Sequence, residues 1–125
     1  MKKILIAILF LSASIHLFAQ TNDAEAAKAV LKQYKDAIEK LDVTGTEKLF
    51  TADSKIYESG GSEGAYAHYL EHHLGPEFKE FKSFKYIDYK VEIQIDGKYA
   101  FATETYNYII ILANAYLPSI CTSTL

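Results

Sequence analysis

The apolar positions change their period along the chain, and each change marks an element. Ala27, Leu31, Tyr34, Ile38 and Leu41 recur at alternating steps of four and three, which puts them on one side of an amphipathic helix. Lys28, Lys32, Lys35, Asp36, Glu39 and Lys40 fall on its other faces and read as solvated surface. Asn22 followed by Glu25 has the form of a capping box for this helix. Asp42 to Gly45 is a break, Thr46 to Phe50 a short helix burying Leu49 and Phe50, and Ser54 to Glu58 a short strand. Gly60 and Gly61 then turn the chain into a further helix. Ser62 is suited to cap it, Glu63 to its first turn, and Gly75 with Pro76 to its end. Glu77 to Phe81 reads as one more short turn.

From Ser83 the period becomes two. Ile87, Tyr89, Val91, Ile93 and Ile95 alternate with Asp88, Lys90, Glu92 and Gln94, as in a half-buried strand. Asp96 and Gly97 are the strongest hairpin signal in the chain. A two-residue turn there pairs Ile95 with Lys98, Tyr89 with Glu104 and Ile87 with Tyr106, and sets Glu104 on the apolar face. A bulged turn shifts that register by one.

Three of the four histidines lie on the helix after Gly61. At about 100° per residue, Tyr66, Tyr69, Leu70, His73 and Leu74 share one side, so His73 is expected to point inward. His68 and His72 are neighbours at i and i+4 on a face turned towards Glu71 and solvent.

The chain opens with Lys2 and Lys3, an apolar run from Ile4 to Leu11, and the small residue Ala19 before Gln20. This is the layout of a secretory signal peptide. The run is broken by Ser12, Ser14 and His16, and falls short of the roughly 20 apolar residues that span a bilayer. Residues 1–19 are therefore expected to direct export to the periplasm or beyond and to be cleaved, leaving no membrane segment. The net charge of −3 becomes more acidic once Lys2 and Lys3 leave, which argues against nucleic acid as a partner. Every basic residue is lysine, so no planar fork exists for bidentate capture of phosphate. The single cysteine, Cys121, has no internal disulfide partner, and folding must rest on an apolar core. A mature chain of about 100 residues suffices for one small domain, taken here as 20–112. No charged side chain follows Glu104, and 113–125 has no clear period.

The helix through LKQYKDAIEKLD, the segment KLFTADSKIYESG, the stretch YLEHHLGPEFKEFKSF and the hairpin DGKYAFATETY resemble the nuclear transport factor 2-like superfamily, in particular its small exported SnoaL-like members. The resemblance covers about Ala24 to Ile111. It implies an α+β, cystatin-like cone in which N-terminal helices pack on a curved antiparallel sheet around an apolar pocket. Family members continue into further strands, often with a Trp. This chain has no Trp and departs from the pattern there, so it resembles a member lacking its last strands. The resemblance also implies pairing of two copies through the sheet.

Within such a pocket the expected lining is Tyr66, Leu70, His73, Tyr89, Glu104 and Tyr106, and the expected ligand a small apolar or aromatic molecule, with no cofactor. Burial of Glu104 and His73 beside each other would move both pKa values towards neutrality, which suits a cofactor-free lyase or isomerase that shuttles a proton. The plainer reading gives His73 a backbone carbonyl and Glu104 a tyrosine or lysine partner. His68 and His72 could share a metal ion, although zinc sites need three or four protein ligands and no third is assigned. The order of Glu71 and His72 is not that of a metalloprotease helix.

Overall fold

A computed structural model describes residues 22–114 and the backbone of 119–121. The expected signal segment, and residues 115–118 and 122–125 of the tail, lie outside the described residues. Two compact units divide the chain: one contains Val91–Thr103 together with the start of the first helix up to Ala29, and the other comprises Val30–Lys90 and Glu104–Leu125.

The first helix (α1) is helical over 22–40. Asn22, expected to cap it, is itself helical. At the other end Leu41 takes a left-handed conformation (φ 54). There the Leu41 N–H donates to the Ile38 carbonyl at 3.0 Å and that of Asp42 to Ala37 at 3.1 Å. Those two bonds satisfy carbonyls of the last turn, the Schellman arrangement, with leucine where glycine is usual. A 3-10 turn over Thr46–Leu49 follows, then β1 (Ile56–Glu58) and β2 (Gly61–Gly64), paired antiparallel. Ser62 therefore belongs to a strand and caps nothing. The helix starts later, at Tyr66, preceded by Ala65 without a side-chain cap.

Nor does that helix stop at Gly75 and Pro76. It runs as α2 (Tyr66–Tyr69), a π segment (Leu70–Leu74) and α3 (Gly75–Glu80). Pro76 lacks the N–H that a continuous α-helix needs and its ring crowds the preceding turn. The extra residue of a π turn absorbs both defects, and the Gly75 N–H reaches back to the Leu70 carbonyl. A Cβ on residue 75 would lie 2.7 Å from that oxygen. Glycine is what allows the turn to close.

The hairpin is longer than the alternation suggests, with β3 at Phe81–Asp96 and β4 at Tyr99–Leu112. Its turn is Gly97–Lys98, one residue later than expected, with Gly97 at φ 58. Positive φ at the first central position is what a II′ turn requires. The expected side of β3 holds for Tyr89, Val91, Ile93 and Ile95 but fails for Ile87, which is exposed while Tyr86 is half-buried. Asp88, at φ 55, is the cause: a left-handed residue acts as a bulge and reverses the parity of what precedes it. Phe84 and Tyr86 therefore face the same way as Tyr89, and the rings of Tyr86 and Tyr89 meet edge to face at 5.7 Å. A third strand, β5 (Ser119–Cys121), pairs antiparallel with Tyr108–Ile110. The aperiodic tail had hidden it.

The larger unit holds the core: Ile38, Tyr66 and Leu74, with buried Thr46. Tyr66 stacks on Phe50 at 3.7 Å, and Tyr34 meets both rings edge-on. In the smaller unit Lys28 pairs with Glu25, and Tyr99 and Phe101 are exposed. No helix among the described residues is long and apolar enough to cross a membrane. The α+β class expected from the sequence is what the chain adopts.

Candidate functional site

The residues that face inward in the larger unit do not fill it. They leave a cavity of about 570 Å³, lined by Tyr34 and Ile38 of α1, Phe50, Ile56, Tyr57 and Glu58 of β1, Ser59, Tyr69, Leu74, Glu77 and Phe78 of the helical run, Phe81, Phe84 and Tyr86 of β3, and Tyr106, Tyr108 and Ile110 of β4. Such a volume with a mostly apolar, aromatic wall lies within the range of small-molecule sites. The bulge at Asp88 is what brings Phe84 and Tyr86 to this wall. The wall is itself interlocked: Tyr86 meets Tyr106 edge-on at 4.7 Å, and Phe84 stacks on Tyr108 at 5.4 Å.

Of the residues expected from the sequence to line a pocket, Tyr106 does so. Tyr66, only 2% exposed, stands behind Phe50 and Tyr34, its hydroxyl 2.7 Å from that of Thr46. Tyr89 backs Tyr86 and Tyr106, and its hydroxyl donates to Glu104 Oε1. That hydrogen bond joins Tyr89 to Glu104, but the later turn places Tyr106 and not Glu104 opposite Tyr89 on the neighbouring strand, and neither Tyr89 nor Glu104 lines the cavity. Leu70 is half-buried on the π segment, away from the lining.

His73 does not point into the interior. Its side chain is 40% exposed, and its Nε2 lies 2.8 Å from Glu63 Oε2, an ion pair whenever the imidazole is protonated. Its ring stacks on Tyr69 at 5.6 Å. The reason is geometric: the π segment winds more slowly than an α-helix, so the position that 100° steps turn inward comes to lie beside β2. His68 and His72 do adjoin, with ring centroids 4.3 Å apart, on an exposed face. Among the described residues no group of three or more His, Cys, Asp or Glu is placed to hold a metal ion.

A second polar feature lies on α1. Lys35 and Glu39, read from the sequence as solvated surface, are half-buried instead. Lys35 Nζ is 2.7 Å from Glu39 Oε2 and 5.4 Å from the ring centroids of both Tyr86 and Tyr89, within reach of cation–π attraction. Glu39 Oε1 accepts the Tyr86 backbone N–H at 3.0 Å. The hydrogen bond from Lys35, and after it that from Tyr86, holds the Glu39 carboxyl below the usual range against the opposing effect of burial. One carboxylate thus ties the helix to the strand where the wall begins.

The wall resists ionisation. Burial first, and then neighbouring phenols or carboxylates, raises the pKa of Tyr34, Tyr86 and Tyr106. Tyr69 is pushed up to about 12 by burial, then by the charges of Glu58 and Glu77. Glu77 is itself raised, by burial and then by Glu58, with His73 acting in the opposite sense. The phenols are neutral donors, and the two carboxylates repel each other on the solvent side of the cavity.

Comparison of the chain with models of known protein families, with curated proteins and with solved structures found no match.

Proposed function

We propose that the chain is an exported, small-molecule-binding protein of the nuclear transport factor 2-like kind, its ligand held in the aromatic cavity of the larger unit. The observation that carries this reading is the cavity of about 570 Å³ and its wall of Tyr and Phe rings, which buries apolar ligand surface and offers hydroxyls to orient it. The order of a long helix, a short turn, a helix and a long hairpin agrees with that kind of cone, and the N-terminal pattern of residues 1–19 agrees with export. Proton transfer by Glu104 or His73 has less in its favour: each is engaged by another side chain, Tyr89 and Glu63 respectively, and neither lines the cavity.

Thermal unfolding of the full chain with increasing naphthol tests the proposal. A ligand that binds only the folded state raises the midpoint, by an amount equivalent to about 2.7 kcal/mol at one hundred times its Kd. The expected result is a saturable rise that is lost in Tyr106→Ala. An unmoved midpoint at the solubility limit of naphthol counts against a binding cavity. A rise with copper or zinc alone, abolished by His68→Ala, would shift the function to the His68 and His72 pair.

A further inference from the structure

The charged side chains that line the cavity are both acidic. Glu58 lies at the end of β1 and Glu77 in the first turn of α3, and both contribute to the wall on its solvent side. Among the described residues no lysine or histidine lines the cavity. Lys35, behind the wall, is engaged by Glu39, and His73 is engaged by Glu63. Neither carboxylate of the wall has a hydrogen-bonding or ion-pairing partner among the contacts of the described residues that could neutralise it.

The same wall carries the phenol rings of Tyr34, Tyr57, Tyr69, Tyr86, Tyr106 and Tyr108, whose faces are negative. Tyr69 feels both charges and Tyr106 feels that of Glu58. Tyrosine faces and carboxylates attract the same kind of ligand. A soft cation with an apolar body satisfies both, because the rings replace part of a weakly held hydration shell while the charge relieves the repulsion between Glu58 and Glu77. An anion meets two carboxylates and no lysine. A neutral molecule leaves the repulsion in place.

Resting on the reading of the cavity as a ligand site, we infer that its ligand is an organic cation with an apolar body, an aryl or alkyl quaternary ammonium, held by the tyrosine rings and by Glu58 and Glu77. The net charge of −3 draws such a ligand towards the protein as well. The site discriminates by charge at the solvent side and by shape within.

Calorimetric titration of the full chain with three probes of similar size tests this: benzyltrimethylammonium, its neutral counterpart dimethylbenzylcarbinol, and phenylacetate. The ammonium should bind about tenfold more tightly than the carbinol, and phenylacetate more weakly than either. In the double variant Glu58→Gln, Glu77→Gln the preference for the ammonium should shrink to the part that the tyrosine rings supply while carbinol binding persists, which also shows that the variant keeps its cavity. If the double variant fails to fold, Glu58→Gln alone should reduce the preference. Equal binding of ammonium and carbinol by the natural chain, or a preference that both substitutions leave undiminished, overturns the inference that Glu58 and Glu77 select a cation. Absence of binding by all three probes overturns the cavity reading itself.

Discussion

Thr46 has one hydroxyl proton, and its geometry directs that proton to the Val43 carbonyl at 2.7 Å. The contact with Tyr66, also 2.7 Å, must then be donated by the tyrosine. Both groups are buried: Thr46→Val leaves the tyrosine hydroxyl without this acceptor, and Tyr66→Phe leaves Thr46 only its bond to Val43. Tyr66→Phe and Thr46→Val should each cost about 1–3 kcal/mol. The double variant should cost about 1 kcal/mol less than their sum, as read from urea unfolding midpoints; strict additivity would show that the pair is not coupled. At this scale the sequence was informative about who is buried and less so about who lines the cavity. Tyr66 and Leu74 were readable as inward from helical spacing alone. His73 was not, because its orientation depends on a π turn that no spacing announces, and Glu63, its partner, reads from the sequence only as a first-turn acid. Lys35 and Glu39 looked like surface because a charged residue facing an aromatic sheet has the same local pattern as one facing water.

Elements were legible where one period holds throughout, as in α1 and in β3 beyond Asp88. They were misread where the backbone gains a residue. Gly75 and Pro76 are a stop signal for an α-helix and also a permitted start for the next one, and only the Leu70 contact shows which applies. Asp88 is the more consequential case. A regular alternation puts Ile87 on the apolar face beside Tyr89, and the bulge puts Phe84 and Tyr86 there instead, which adds two rings to the wall. Because Asp88 holds φ 55, a β-branched residue is strained there. Asp88→Val should destabilise by about 1–2 kcal/mol, whereas Asp88→Gly should lie within roughly 0.5 kcal/mol of the natural chain. In a regular strand the order would be reversed, since valine favours pleated structure and glycine weakens it. Denaturant midpoints of the two variants therefore report whether the bulge exists in solution.

At the scale of the molecule, the described residues hold a small core of fully buried side chains, and much of the packing is carried by partly buried tyrosines. That choice has a consequence for pH. Tyr34, Tyr69, Tyr86, Tyr89 and Tyr106 all have folded pKa values above the ordinary 10.0, with burial the largest cause in each. The unfolded chain releases these protons from about pH 10 while the folded chain retains them. Their stabilisation is thus complete below pH 10 and is lost as the pH rises through the folded values. Unfolding midpoints should fall steadily from pH 10 towards 12, with tyrosinate absorbance appearing together with unfolding; a midpoint flat across this range would mean that the rings are solvated in the folded state. The larger unit's contents were only partly legible because the wall is gathered from segments far apart in sequence, and Tyr106 was the one lining residue that local pattern and resemblance together picked out for the site.

The most direct measurement is a nuclear magnetic resonance titration of the ring-labelled tyrosines of the full chain with benzyltrimethylammonium and dimethylbenzylcarbinol. Saturable shifts at Tyr69, Tyr86 and Tyr106, with Tyr99 unmoved by either probe, are expected if the aromatic cavity is the binding site. Shifts that do not saturate, or that are as large at exposed Tyr99 as at the three wall tyrosines, would mean that the cavity does not bind small molecules as a site.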